Sequence, residues 1–123
     1  MASRVIHFEL PADDPDRCAA FYQAAFGWTV QKWEGPTPYW MVGTGPDGEL
    51  GIDGGIGPRG GPEDQVTNTI GVDDLDAAVV AVVAHGGTIT RPRRPVPGIG
   101  WLAYCTDTEG NPFGVMQSDP EAS

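Results

Sequence analysis

The sequence predicts an α+β protein built from two copies of one unit, each a strand, a helix and three further strands (βαβββ). Residues that flank the first predicted helix return sixty positions later around the second. The order of predicted elements repeats as well, which favours a duplicated supersecondary unit. We expect one domain over residues 1–123, with repeats over about 4–57 and 66–117. The matched residues are Asp13, Asp14, Asp16 and Gly27 in the first copy, and Asp73, Asp74, Asp76 and Gly87 in the second.

Length, charge and cysteine content narrow the class of protein. A chain of 123 residues suffices for one core but not for two ordinary domains. The formal net charge of −10 argues against nucleic acid or an anionic membrane as partner. Cys18 and Cys105 are isolated, which suits a reducing compartment. No secretion signal is apparent, and the longest apolar run, Ala77–Ala84, is too short to span a bilayer, so we expect a soluble cytoplasmic protein.

The first repeat begins with a predicted strand over Arg4–Leu10, where apolar and polar side chains alternate. This alternation places His7 and Glu9 on one face and the larger apolar side chains on the other. A helix over Asp16–Phe26 follows, with an acidic N-cap, a proline in its first turn and Gly27 at its end. Three strands complete the repeat, over Trp28–Trp33, Tyr39–Gly43 and around Leu50–Ile56.

The second repeat follows a linker-like segment, Gly57–Gln65, and begins with a predicted strand over Val66–Val72. A helix over Ala77–Ala84 comes next, because an acidic cap precedes this apolar run and a glycine pair ends it. The remaining predicted elements are a short strand over Thr88–Thr90, a basic proline-rich loop reaching Gly98, and a β-hairpin over Ile99–Gln117.

Each small sheet with a helix on one face leaves its other face uncovered, and two such faces together would enclose a ligand cavity. The chain resembles the vicinal oxygen chelate superfamily over about residues 4–117, in the segments HFELPADDPDRCAAFYQAAFGW, DDLDAA, HGG and GWLAYCTDTEGNPFGVMQ. That superfamily includes glyoxalase I, extradiol dioxygenases, and fosfomycin and bleomycin resistance proteins. The resemblance implies two βαβββ modules forming a half-open barrel, commonly as a homodimer, that binds a small molecule.

Metal-dependent members of that superfamily take ligands from the first strand of each module and from later strands. The resemblance places His7 at the first of these positions and Thr67, a poor ligand, at its counterpart. The glutamate position of the final strand falls on Gly114, and Asp53 is the only acidic residue near the remaining position. His7 and Asp53 are therefore the candidate ligands for Ni²⁺, Zn²⁺, Fe²⁺ or Mn²⁺. Because the usual ligand set is incomplete, we expect no cofactor and no tight, preformed metal site.

His7 and Glu9 are the candidate catalytic residues. They lie two positions apart on one strand face, at a separation of roughly 7 Å. Such a pair would serve as acid and base in a proton transfer, or would be satisfied mutually through a water molecule. A lone strand histidine is also often a structural, hydrogen-bonded residue, and both interpretations stay open at the level of sequence.

Four residues are the candidates for ligand binding. Trp40 and Trp101 occupy equivalent places in the two repeats, and stacking of a planar ligand between them is the leading hypothesis. Core packing is the alternative, because large aromatic side chains fill small cores. Tyr104 shares a strand with Trp101, and Met116 shares the inward parity of Gly114.

The segment Arg91–Arg94 holds three of the seven basic residues. We predict a solvated loop there, with neutralisation of an acidic ligand or a partner subunit as the alternative. Cys105 is predicted to be buried and inert, and Cys18 has no activating base.

Three functions from different classes remain. The favoured one is a metal-free protein, similar to the bleomycin resistance branch, that binds a small aromatic molecule; the acidic surface would suit a cationic ligand. The second is a metal-dependent lyase, isomerase or dioxygenase that uses His7 with Asp53 or Glu9. The third is a metal-free catalyst in which His7 and Glu9 move a proton. Whether the chain is an enzyme, and then a lyase or an oxidoreductase, stays open.

Overall fold

A computed structural model describes residues 2–61 and 64–123, and this part of the chain has eight strands and two helices. Contacts within the chain define two units. One is His7–Val66, and the other is Thr67–Ser123 together with the residues that precede His7. Residues 62 and 63 of the predicted linker, Gly57–Gln65, lie outside the described residues.

The order of elements confirms the α+β class and the two βαβββ modules. The first module comprises β1 (Arg4–Ala12), α1 (Pro15–Phe26), β2 (Thr29–Lys32), β3 (Trp40–Gly43) and β4 (Asp53–Pro58). The second module comprises β5 (Thr67–Gly71), α2 (Leu75–Ala84), β6 (Thr88–Val96), β7 (Gly100–Thr106) and β8 (Pro112–Ser118). Neither helix is long and apolar enough to cross a membrane, within the described residues.

The strands of the first module pair in the order β2-β3-β4-β1, with β1 and β4 parallel and the other pairs antiparallel. Its core lies between this sheet and α1. Ile56 of β4 is entirely buried there, against Val42 of β3 and Ala19 of α1. The register pairs His7 with Asp53 and Phe8 with Gly54, and Phe8 packs against this core. His7 therefore points away from α1, as the alternation predicts.

The second module repeats this design with the strand order β5-β8-β7-β6. Strands β5 and β8 are parallel, and the remaining pairs are antiparallel. Leu75 of α2 is entirely buried against Ala103, Cys105 and Val115 of the sheet. The opposite, helix-free face holds the alternate residues of the same strands, including Tyr104.

Two elements, β6 and β4, have a boundary that differs from the sequence-based prediction by more than two residues. The basic segment is part of strand β6, which pairs with β7, so the predicted loop from Arg91 onward is wrong. Its prolines are tolerated because β6 is an outer strand of its sheet and its pairing with β7 is irregular. The strand predicted from Leu50 begins only at Asp53, since Gly48 and Gly51 take positive φ angles of 88° and 148° that interrupt an extended chain.

Acidic caps start both helices, and their removal is expected to destabilise the protein. The side chain of Asp14 accepts a hydrogen bond from the backbone N–H of Arg17, and Asp74 accepts one from that of Ala77, each at 3.1 Å. The substitutions Asp14→Ala and Asp74→Ala should each lower the free energy of unfolding by about 0.5–2 kcal/mol. Urea denaturation followed by circular dichroism measures this loss. Asparagine at either position is the matched control and should retain most of the stability, because its side chain also caps. Equal losses for alanine and asparagine would contradict the assignment.

Candidate ligand site

A histidine–tyrosine pair occupies the helix-free face of the first module. His7 Nε2 and Tyr39 Oη are hydrogen-bonded at 2.7 Å, and which atom donates depends on the histidine tautomer. Their rings lie nearly parallel, 22° apart, with centroids separated by 6.4 Å. The pair joins the first strand of the module to the residue that precedes β3. Sequence reasoning found His7 but missed Tyr39.

A glycine in β4 makes room for the tyrosine ring. A Cβ atom added to Gly55 would overlap the ring and hydroxyl of Tyr39. The backbone of Tyr39 is also fixed, because its carbonyl accepts a hydrogen bond of 2.7 Å from the N–H of Trp33. The consecutive glycines Gly54 and Gly55 were the available sequence signal, since glycine inside a strand often marks a close approach by another group.

The surroundings of His7 favour its neutral form. Burial lowers the pKa of His7 below its ordinary value of 6.5, and this effect outweighs the nearby carboxylates of Glu9 and Asp53, which act in the opposite direction. A neutral imidazole has one donor and one acceptor nitrogen. Glu9 shares the face of His7, as predicted, and its role as a catalytic partner stays a prediction.

Asp53 lies directly beside His7 in the sheet register but is engaged by a neighbouring loop. Its Oδ1 atom accepts hydrogen bonds from the backbone N–H of Thr44, at 2.9 Å, and from the Thr44 hydroxyl, at 3.3 Å. The same hydroxyl donates to the carbonyl of Ile52 at 2.7 Å. Asp53 thereby holds together the two ends of the turn that connects β3 and β4.

The two tryptophans lie on the helix-covered faces, which corrects the predicted placement of both. Trp40 packs against the cluster that contains Ile56, and its indole N–H donates to Asp16 of α1 at 3.0 Å. Trp101 packs against the cluster beneath α2, and its indole N–H donates to Asp119 at 3.0 Å. Strand parity explains the result, because Trp40 and Trp101 share their faces with the buried residues Val42, Ala103 and Cys105.

Tyr104 and Met116 lie on the helix-free face of the second module. The register pairs Tyr104 with Gly114 and places Met116 two residues further along β8. Met116 therefore shares the face of Gly114, as its parity predicts. Because Trp101 and Tyr104 are three residues apart on one strand, they point to opposite faces, and only Tyr104 is on the face free of helix.

The sequence profile of the family described as the glyoxalase-like domain matches residues 6–116. This chain belongs to the glyoxalase-like domain family. A fungal relative from Didymella fabae, named as a glyoxylase-like domain-containing protein, is 31% identical over 113 residues, which are 87% of this chain and 88% of that protein. A protein of Mycobacterium tuberculosis named "Putative glyoxylase CFP32" is 32% identical over 119 residues, or 92% of this chain. The chain spans only 43% of that mycobacterial relative.

Solved structures show the same fold. The methylmalonyl-CoA epimerase of Streptomyces coelicolor has a TM-score of 0.73 and 18% sequence identity, with 100% of this chain and 99% of that chain covered. The corresponding Mycobacterium tuberculosis enzyme has a TM-score of 0.72 and 12% identity, covering 94% of this chain and 88% of that one. The predicted membership of the vicinal oxygen chelate superfamily is confirmed.

The donor set of this glyoxalase-like domain does not fit the metal centre that the resemblance implies. His7 Nε2 is bonded to Tyr39, and one carboxylate oxygen of Asp53 is bonded to Thr44. Within residues 2–61 and 64–123, no group of three or more His, Cys, Asp or Glu side chains is arranged to hold a metal ion. Gly114 contributes no side-chain ligand at the position of the expected glutamate.

The lowered pKa of His7 predicts a stability loss in mild acid. The unfolded chain takes up a proton near pH 6.5, whereas folded His7 does so only at lower pH. Stability contributed by neutral His7 is thus fully present above 6.5, is lost as pH falls toward the folded-state pKa, and levels off below it. Melting temperatures between about pH 8 and pH 5 should show a smaller acid loss for His7→Gln than for the native chain. The control His85→Gln changes an exposed histidine. An acid loss for His7→Gln as large as that of the native chain would contradict the assignment.

Proposed function

We propose that this glyoxalase-like domain binds a small organic molecule and that His7 and Tyr39 form the polar centre of its site. The observation that carries this proposal is the 2.7 Å hydrogen bond between the two side chains on a helix-free sheet face. A few convergent polar groups on a largely preformed surface are what orients a small ligand. The neutral imidazole and the phenol together offer both a donor and an acceptor.

Metal-free binding is the version of this function that the geometry supports best. A cation at His7 and Asp53 would compete with the existing hydrogen bonds of both residues. Within residues 2–61 and 64–123 it would also find no group of three His, Cys, Asp or Glu side chains, whereas an open catalytic site normally supplies three protein ligands. We therefore rank metal-free binding above a metal-dependent lyase, isomerase or dioxygenase.

Proton transfer is a second candidate function, because Glu9 acts electrostatically on His7. A neutral histidine is able to accept a proton from a substrate, and a carboxylate close by stabilises the imidazolium that results. A His7→Ala variant that keeps ligand affinity but loses turnover would favour this catalyst over a binding protein.

Ligand titration tests the proposed function. The probes are benzoate, phenyl phosphate, benzamide, phenol and benzylamine, and the readout is the NMR signal of the His7 ring together with backbone amides. We expect at least one probe to shift the His7 signal saturably. Tyr39→Phe should weaken that probe up to about tenfold, because it loses one hydrogen-bonding hydroxyl. His85→Ala is the matched control and should bind like the native chain. Failure of all five probes at millimolar concentration would overturn the proposal.

Metal analysis is the second arm of the test. Protein purified without chelator is expected to contain no stoichiometric metal, and Ni²⁺, Zn²⁺, Fe²⁺ and Mn²⁺ should not raise its melting temperature in a saturable way. A content near one ion per chain that disappears in His7→Ala would reverse the ranking in favour of the metal-dependent enzyme.

The aromatic nature of the ligand and the homodimer remain parts of the proposal. The five probes separate ligands by charge, and cyclohexanecarboxylate compared with benzoate separates an aromatic from an aliphatic ring. Light scattering on the purified chain measures the mass of the assembly, and a monomer at micromolar concentration would contradict the homodimer.

A further inference from the structure

Two arginines of strand β6 lie on the same face because the strand is irregular. Arg91 pairs with Tyr104 of β7, and Arg94 pairs with Leu102, so three steps along β6 oppose two steps along β7. In a regular strand, residues three apart point to opposite faces. The extra residue is a β-bulge, a device that re-aims side chains and is enriched beside functional sites. Both arginines consequently share the helix-free face with Tyr104.

The guanidinium groups of these arginines flank one aromatic ring. The central carbon of the Arg91 guanidinium lies 6.0 Å from the centroid of the Tyr104 ring, and that of Arg94 lies 5.7 Å from it. Contacts of a cation with an aromatic face at this distance are weakly attractive and orient the cation. Each guanidinium is thereby held within 6.0 Å of the centroid of the same ring.

Arg93, which lies between them, has a structural role instead. Its guanidinium donates to Asp76 of α2 at 2.8 Å and stacks over Trp101 at 4.5 Å. Among residues 2–61 and 64–123, Arg91 and Arg94 form no such ion pair. The basic segment therefore divides into one arginine that ties β6 to its helix and two that keep their charge available.

A buried hydroxyl lies in the same cross-strand row. The register aligns Thr69 of β5, Gly114 of β8, Tyr104 of β7 and Arg91 of β6. Thr69 is 2% exposed, and its Oγ1 atom has no hydrogen-bond partner among the described residues. A buried hydroxyl without a hydrogen-bond partner lowers the stability of the folded chain, and a ligand that hydrogen-bonds to it would remove this cost. Gly114 of the neighbouring strand β8 has no side chain in contact with this hydroxyl, and a Cβ there would lie 2.9 Å from Oγ1.

We infer that Arg91, Arg94 and Thr69 form a subsite for the oxyanion of a small ligand, a carboxylate or a phosphate group, beside the ring of Tyr104. Guanidinium groups bind such anions through paired, charge-assisted hydrogen bonds, and the threonine hydroxyl adds a neutral donor. Local charge outweighs the overall acidity of the chain at this point, because salt screens the electrostatic effect of carboxylates that lie more than about 10 Å away. This inference rests on the proposed small-molecule binding function and assigns the second module a preference for acidic molecules, in place of the cationic ones that the net charge suggested.

The test compares an acidic probe with its neutral counterpart. Benzoate and phenyl phosphate should bind saturably and shift the backbone amide signals of Thr69 and Gly114, whereas benzamide should bind at least tenfold more weakly. Stronger binding of one acid than of the other identifies the carboxylate or the phosphate as the preferred group. Arg91→Gln and Arg94→Gln should each weaken the acids by about ten- to a hundredfold. Arg17→Gln removes the same charge at an exposed position of α1 and should not weaken acid binding comparably.

Three outcomes separate this inference from the proposed function. Equal affinity for benzoate and benzamide, or normal acid binding by the Arg91→Gln/Arg94→Gln double variant, would overturn the anion subsite. If Tyr39→Phe still weakened binding of the probe in that case, the proposed function would stand without the anion subsite. Failure of every probe to bind would overturn both. Circular dichroism of each variant checks that a loss of binding is not a loss of folding, and a Thr69→Val variant, nearly equal in volume, should lose part of the affinity while remaining folded.

Discussion

Replacing Ile56 by alanine is expected to lower the free energy of unfolding by about 2–5 kcal/mol. Ile56 is the fully buried centre of the cluster beneath α1, and it lies on β4, which is paired on both sides by β1 and β3. Deleting three of its four side-chain carbons removes apolar surface from the core and leaves a cavity. Because β4 is paired with a strand on each side, it shifts little to fill that cavity. Urea denaturation monitored by circular dichroism measures the difference.

Two controls bracket this effect. Ile56→Val removes one methylene-sized group and should cost about 0.5–1.5 kcal/mol. Ile52→Ala changes an exposed isoleucine just before β4 and should stay within about 0.5 kcal/mol of the native chain. A loss for Ile56→Ala no larger than that for Ile52→Ala would show that this cluster is not the core of the first module.

Replacing Gly55 by alanine is expected to break the contact between His7 and Tyr39. The added methyl group would occupy the position of the Tyr39 ring and hydroxyl, so the ring must leave the sheet surface. Overpacking of this kind costs about 1–3 kcal/mol. Removal of the ring also admits water to the imidazole, and the pKa of His7 should rise toward its ordinary value because burial is what lowers it. Urea denaturation and an NMR titration of the His7 ring measure the two effects.

Gly57→Ala is the matched control, two residues along the same face of β4. A Cβ at Gly57 would lie 3.8 Å from Tyr39 Cδ1, an ordinary van der Waals contact. This variant should keep both the stability and the His7 pKa of the native chain. An unchanged His7 pKa in Gly55→Ala would mean that Tyr39 does not shape the environment of His7, and the proposed polar centre would fail.

Much of the candidate site was predictable from strand alternation. The period of two placed His7 and Glu9 on one face and gave Met116 the face of Gly114, as the register shows. Alternation along one strand does not determine which face a residue on a different strand occupies. Trp40 and Trp101 occupy equivalent positions in the two repeats, but this equivalence does not determine whether they face the helix or the open side of the sheet. Each packs on the helix-covered face of its own module.

Tyr39 and the arginine pair lay beyond sequence reasoning for two further reasons. The Tyr39 ring reaches His7 only because Gly55, sixteen positions later in the chain, presents no side chain. Arg91 and Arg94 share a face only because β6 slips against β7. Neither a contact across strands nor a bulge can be recognised from a short stretch of sequence, since both depend on how neighbouring strands align.

The amino-acid sequence by itself determined the duplicated βαβββ design, the helix ends and the strand faces, because capping and alternation act between residues close in the chain. The tertiary structure alone decided which polar groups meet: His7 with Tyr39, Asp53 with Thr44, and two arginines around Tyr104. These meetings depend on strand register and on the absence of side chains at Gly55 and Gly114. Such features arise only when distant segments pack, and they carry the proposed chemistry.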